Sequence, residues 1–288
     1  MRSHARLLAT ALFMLLALEA HAAPAPAQRI VSLNLCTDQL VLQLVPRERI
    51  AMLSQLASDP QLSAEAARAG GIARFDGSVE SVMEQAPDLI LAGSMASLGT
   101  TRILQRLGYR VETQEMPESI EDALLFIENT ATLVGEPAAG QALRQATQAR
   151  LNAVRVHAAT SFHPLVVVYL PNGLTPGSGT LKHELIALAG WRNLAAVRGI
   201  SGYGTLSLEE LLSQAPALVL FDSVDMEHAS MSQQLLHHPA IEGRFDSRWM
   251  PTRTWICGGP QIADAAEMLY RFRNALARST IDTRAPGE

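Results

Sequence analysis

Ser78-Val79-Glu80-Ser81-Val82-Met83-Glu84-Gln85-Ala86-Pro87-Asp88-Leu89-Ile90-Leu91 recurs without a gap as Ser207-Leu208-Glu209-Glu210-Leu211-Leu212-Ser213-Gln214-Ala215-Pro216-Ala217-Leu218-Val219-Leu220, with seven of fourteen positions identical. Each copy opens on a helix-capping Ser with a Glu two residues on, where a carboxylate suits the positive end of a helix. Each closes its short helix before Pro87 or Pro216 and then enters an apolar strand. A helix–Pro–strand unit occurring twice predicts two similar α/β lobes rather than one large sheet.

The flanking sequence agrees. Arg29-Ile30-Val31-Ser32-Leu33 and Leu165-Val166-Val167-Val168-Tyr169-Leu170 read as strands opening the two halves. Such continuous apolar runs suit parallel strands covered on both faces. Arg102 to Leu107 reads as a helix ended by Gly108, with a strand over 109–113. Between the halves, Ser119-Ile120-Glu121-Asp122 starts one helix and Pro137 begins a second running to about His157. Two ordinary packing helices are the plainer reading; the position of the second, midway between the repeat copies, favours it as the connector. The expected layout is a first lobe over 29–115, connecting helices over 116–160 and a second lobe over 161–280.

The N-terminus carries Arg2 and Arg6, an apolar run Leu7–Leu18 and Ala20-His21-Ala22, the pattern of a cleavable signal peptide over 1–22. The run is too short to span a bilayer as an ordinary helix, so the expected location is the periplasm. Removal of that segment leaves 21 basic against 27 acidic side chains, a balance that argues against nucleic-acid binding. Cys36 follows Ser32-Leu33-Asn34-Leu35, which lacks the small residues of a lipid-attachment site. A disulfide between Cys36 and Cys257 and two separate buried thiols both remain open. No Gly-x-Ser-x-Gly elbow, phosphate-cradling Gly-Lys-Ser/Thr loop or metalloprotease His spacing occurs, and no His and carboxylate set suggests a dedicated metal site.

The opening Arg29-Ile30-Val31-Ser32-Leu33 followed by Thr37-Asp38-Gln39-Leu40, the twin Glu-to-Pro repeats, and Ala189-Gly190-Trp191-Arg192-Asn193-Leu194 together resemble the periplasmic binding proteins for iron-siderophores, haem and cobalamin that serve ABC importers. The resemblance runs from Arg29 to about Leu276. It implies two Rossmann-like lobes joined by a long backbone helix, the class III periplasmic binding protein fold. It also implies capture of a metal-chelate nutrient between the lobes by a monomer. Delivery would be to a permease dimer with its ATPase, without catalysis or a resident cofactor. By motif position it places permease-docking carboxylates at Glu80 and Glu209; stabilisation of their own helix starts is the plainer role for both.

Loops that follow strands are where ligands sit in such sheets. The expected ligand contacts are therefore Asn34, Cys36, Leu56, Phe75 and Met95 in the first half, and Asn172, Tyr203 and Trp255 in the second. Aromatic faces offer large apolar area at little entropic cost, which suits a bulky chelate. Siderophore, haem and cobalamin all stay open as ligands. The competing classes are a chelatase-like enzyme on the same two-lobe architecture and a periplasmic sensor of the same ligand.

Overall fold

A computed structural model describes residues 26–94, 98–159, 162–222, 236 and 238–282. The signal-peptide segment and Met95 lie outside the described residues.

The first sheet contains β1 (Ile30–Ser32), β2 (Ile50–Leu53), β3 (Ala73–Arg74), β4 (Leu89–Gly93) and β5 (Val111–Gln114) in the order β3-β2-β1-β4-β5. Every pairing in it is parallel. Its helices are α1 (Leu35–Leu44), α2 (Val79–Glu84) and α3 (Leu98–Arg106). The alternation of side chains shows why β1 and β4 read as unbroken apolar runs. Ile30, Leu89 and Leu91 pack into one core with α1, while Val31 and Ile90 pack into another on the opposite face with Met52 and Leu104.

Two helices then cross between the lobes, α4 (Ile120–Val134) and α5 (Pro137–Ala158). Ser119 and Asp122 form a reciprocal capping box at the start of α4, and Gly135 ends it in the left-handed conformation at φ 81°. Sequence reading placed the connection on α5 alone. The structure makes it a helix pair, because α4 contributes Ile120, Ala123 and Leu124 to the second lobe's core and Phe126, Ile127, Ala131 and Val134 to the first. The two helices run close together. A Cβ on Gly140 would stand 2.1 Å from that of Ala131, so any larger residue would push them apart.

The second lobe repeats the plan of the first. Here β6 (Leu165–Val168), β8 (Arg192–Asn193), β10 (Leu218–Asp222) and β11 (Ser247–Met250) form a parallel sheet in the order β11-β10-β6-β8. This matches β5-β4-β1-β2 strand for strand. The antiparallel pair β7 (Leu174–Pro176) and β9 (Tyr203–Thr205) stands beside it, with α6 (Leu181–Leu188), α7 (Leu208–Gln214) and α8 (Ile262–Asp282) covering its faces. Val166, Val168, Leu218 and Leu220 face one core, and Val167, Val219 and Phe221 the other. The repeat extends to backbone detail: Ala86 and Ala215, each preceding the shared proline, both adopt positive φ, 45° and 43°. A following proline disfavours the right-handed helical region, and both copies resolve the turn in the same way.

A further tie joins the lobes. The segment 252–258, which follows β11, crosses to the first lobe, where Arg253 donates from its backbone N–H to the Gln61 carbonyl at 3.1 Å and from Nη1 to the Pro60 carbonyl at 3.1 Å. Cys257 enters the first lobe's core and is disulfide-bonded to Cys36, with the two Cα atoms 5.2 Å apart across 221 residues of sequence. The alternative left open by the sequence thus closes on the bonded form. Replacing both cysteines by Ser is expected to lower the unfolding free energy by about 2–5 kcal/mol, read from denaturant midpoints with and without reductant. Midpoints that neither reductant nor substitution shifts would contradict a bond between the lobes.

Candidate functional site

Each lobe carries a cavity lined by residues that follow its strands, the place where ligands sit in such sheets. On the first lobe, a depression of about 390 Å³ is lined by residues that follow β1, β2 and β3, among them Asn34, Ser54, Leu56, Phe75 and Asp76. Asn34 is fixed as the N-cap of α1, its Oδ1 accepting from the Cys36 N–H at 2.8 Å. Leu56 is 46 % exposed and Phe75 is buried, so this wall offers an aliphatic surface with an aromatic behind it.

The turn that carries Leu56 rests on a buried carboxylate. Ser54 donates from Oγ to Asp38 at 2.5 Å and from its backbone N–H at 3.3 Å. Burial pushes Asp38 up to about 7, against the hydrogen bonds from Ser32 and Ser54 and the charge of Arg74 that favour its ionised form.

The second wall is more polar. A cavity of about 270 Å³ is lined by Thr180, Lys182, Tyr203, Trp255 and Ile256 of the second lobe and by Met116, Pro117 and Glu118 from the crossing after β5. Tyr203 is 56 % exposed, whereas Trp255 is 2 % exposed and belongs to the second lobe's core. Its indole is held in place by Asp222 at the end of β10, which accepts from Nε1 at 2.5 Å, while the Lys182 ammonium lies 4.5 Å from the ring centre and 2.6 Å from the same carboxylate. Trp255 therefore serves as the floor of this wall, with one face already covered.

Of the residues expected from sequence, Asn34, Leu56 and Phe75 gather on the first wall and Tyr203 and Trp255 on the second. Cys36 lines neither, being buried in the disulfide within the first lobe's core. Asn172, exposed at φ 61°, also lines neither. Sequence reasoning missed Ser54, Glu118, Lys182 and Asp222. One signal was present for Lys182, which is the single lysine among 23 basic residues.

On the outer surface, Glu80 and Glu209 are exposed at equivalent positions of α2 and α7. Neither caps its helix. Ser207 and Glu210 form the capping box of α7, which lowers the Glu210 carboxyl below its usual range. At α2 the corresponding work falls to Asp76, which accepts from the Ser78 N–H, Ser78 Oγ and Ser81 Oγ and is held at about 2 by those bonds.

Against known proteins, the chain matches the family described as periplasmic binding protein over residues 30–243. The chain belongs to this family. It is 30 % identical over 199 residues to a cobalamin-binding protein of Halobacterium salinarum, a match covering 67 % of this chain and 53 % of that protein. The chain thus spans about half the length of the curated relatives it matches. Among solved structures it resembles the apo periplasmic heme-binding protein from Roseiflexus sp. RS-1, with a TM-score of 0.72 and 22 % identity over 87 % of this chain and 99 % of that one. It also resembles the periplasmic vitamin B12 binding protein of Vibrio cholerae, with a TM-score of 0.66 and 18 % identity over 88 % and 98 % of the two chains. At these identities the likeness establishes the fold, two α/β lobes with a helical connection. The family and these relatives are binding proteins rather than enzymes. Among the described residues no helix is long and apolar enough to cross a membrane, and no group of three or more His, Cys, Asp or Glu is placed to hold a metal ion.

The Asp38 carboxyl makes stability pH-dependent in a defined sense. Its folded-state value lies above the unfolded 3.8, so its contribution is fully present below pH 3.8 and is lost as pH rises through about 7. Asp38→Asn, which keeps an oxygen acceptor for Ser54, is expected to flatten that decline. Chemical denaturation of both proteins between pH 4 and 8 tests it; parallel curves would show that Asp38 titrates normally.

Proposed function

We propose that this protein is the periplasmic solute-binding component of an ABC importer, capturing a metal-chelate nutrient between its lobes and delivering it to a permease dimer. The observation that carries the reading is a cavity on each lobe, one aliphatic around Leu56 and one more polar around Tyr203 and Lys182, in two lobes held together by the Cys36–Cys257 bond. A ligand spanning the gap would touch both. The names of the relatives, which bind cobalamin and heme, support a chelate of that size class, and the apparent leader supports export. Asn34, Leu56, Phe75, Tyr203 and Trp255 are the proposed contacts, and the chelate brings its own metal.

Glu80 and Glu209 are the proposed docking groups. With capping assigned to Asp76 and Glu210, both are left outward-facing on two lobes of the same design, where they suit two arginine-bearing permease subunits related by a two-fold axis. Exposed carboxylates of this kind mainly steer and orient the encounter.

Titration of the purified protein with hemin, cyanocobalamin and ferric siderophores, followed by tryptophan fluorescence, tests capture; absence of binding to all of them would overturn it. For docking, the Glu80→Ala/Glu209→Ala protein is expected to keep its ligand affinity within about twofold while uptake in cells collapses, because rim charges change encounter more than the pocket. Normal uptake, or loss of affinity instead, would remove the docking role.

A further inference from the structure

Lys182 stands where a cation is costly. It is the second residue of α6, at the positive end of the helix dipole, and is only 7 % exposed. Every other basic residue in the chain except histidine is arginine, and Lys182 differs in presenting a compact ammonium with three N–H directions. One is taken by Asp222 at 2.6 Å and one points toward the Trp255 ring, 4.5 Å away. Asp222 is in turn occupied by Trp255 Nε1 at 2.5 Å. Among the described residues the ammonium is held from two sides, and Lys182 also lines the cavity with Thr180 and Tyr203.

The charges around it narrow what it can hold. Asp222 neutralises Lys182, and the other ionised side chains lining the two walls among the described residues are the carboxylates of Glu118 and Asp76. Asp76 is kept firmly ionised by its hydrogen bonds. With Lys182 already paired, the remaining ionised side chains that line the two cavities among the described residues are both carboxylates. A polyanionic chelate, or one edged with carboxylates, meets repulsion on entry. An uncharged oxygen accepts the Lys182 N–H without that opposition, and a charge-assisted hydrogen bond of this kind is among the stronger ones.

We propose that the cleft selects chelates whose edge carries uncharged oxygen acceptors, carboxamides above all, and that Lys182 is the donor that reads them. The inference rests on the reading of the cleft as a ligand site, and goes beyond it by naming the chemical class and the selecting residue.

Cyanocobalamin, with a carboxamide edge, and hemin, with a carboxylate edge, separate the possibilities. The wild-type protein is expected to bind cyanocobalamin at least about tenfold more tightly than hemin at pH 7.5, with Lys182→Met losing about tenfold in cyanocobalamin affinity, the scale of one hydrogen bond to a charged donor. Because the chain holds one lysine, protein labelled with ¹³C,¹⁵N-lysine shows a single lysine side-chain spin system, and its shifts are expected to move on saturation with cyanocobalamin. That measurement needs no variant and decides the matter even where Lys182→Met fails to fold. Tighter binding of hemin would overturn this selectivity while leaving chelate capture intact, as would cyanocobalamin binding that leaves the lysine signal unmoved. Binding of neither would overturn the selectivity, and the absence of ferric-siderophore binding as well would overturn chelate capture.

Discussion

Two parallel sheets can share a site only if their relative position is held, and here three ties join the lobes. The α4–α5 pair runs through both cores. The segment 252–258 hydrogen-bonds to the first lobe through Arg253. The Cys36–Cys257 disulfide joins the start of α1 to that segment. A single helix would permit rocking about its axis, whereas three ties leave small adjustments as the available motion. Such a cleft is largely formed before its ligand arrives, so less binding free energy goes into ordering it.

The two walls are supported in the same manner but differ in what they present. Under each lies a buried aspartate: Asp38 beneath the turn that carries Leu56, and Asp222 beneath Lys182 and Trp255. Asp38 has hydroxyl and amide partners and no adjacent cation within bonding range, so burial dominates and raises it. Asp222 has an ammonium and an indole N–H. A buried ion pair of that kind is rarely the most stable solution for a core, and this one lies beside the second-lobe cavity that Lys182 lines. The result is an aliphatic cavity on one lobe and a hydrogen-bonding one on the other.

Much of the architecture was legible in the sequence because the repeat carries its own punctuation. Ser78 and Ser207, Pro87 and Pro216, and the apolar runs after them fix a cap, a stop and a strand in each copy, and the structure repeats even the positive φ of Ala86 and Ala215. The division of labour between α4 and α5 was not legible, since both are amphipathic and only the core contacts show that α4 enters both lobes. Among site residues, Leu56, Phe75 and Trp255 lie after strands as read from the sequence, whereas Tyr203 opens β9, and nothing in local pattern tells an exposed Tyr203 from a buried Trp255. The pairing of Cys36 with Cys257 and the meeting of Lys182 with Asp222 join positions 221 and 40 residues apart, and no local rule reaches across such distances. Asn172 follows a strand as the general rule asks, but its loop closes against Leu206 instead.

Hydrogen exchange of the backbone with and without a saturating chelate tests most directly whether one ligand occupies the gap between the two walls. Simultaneous protection of residues 54–56 and 75–77 on one lobe and of 180–182, 203 and 255–258 on the other is the predicted result. Protection confined to a single lobe, or located away from both sets, would contradict it.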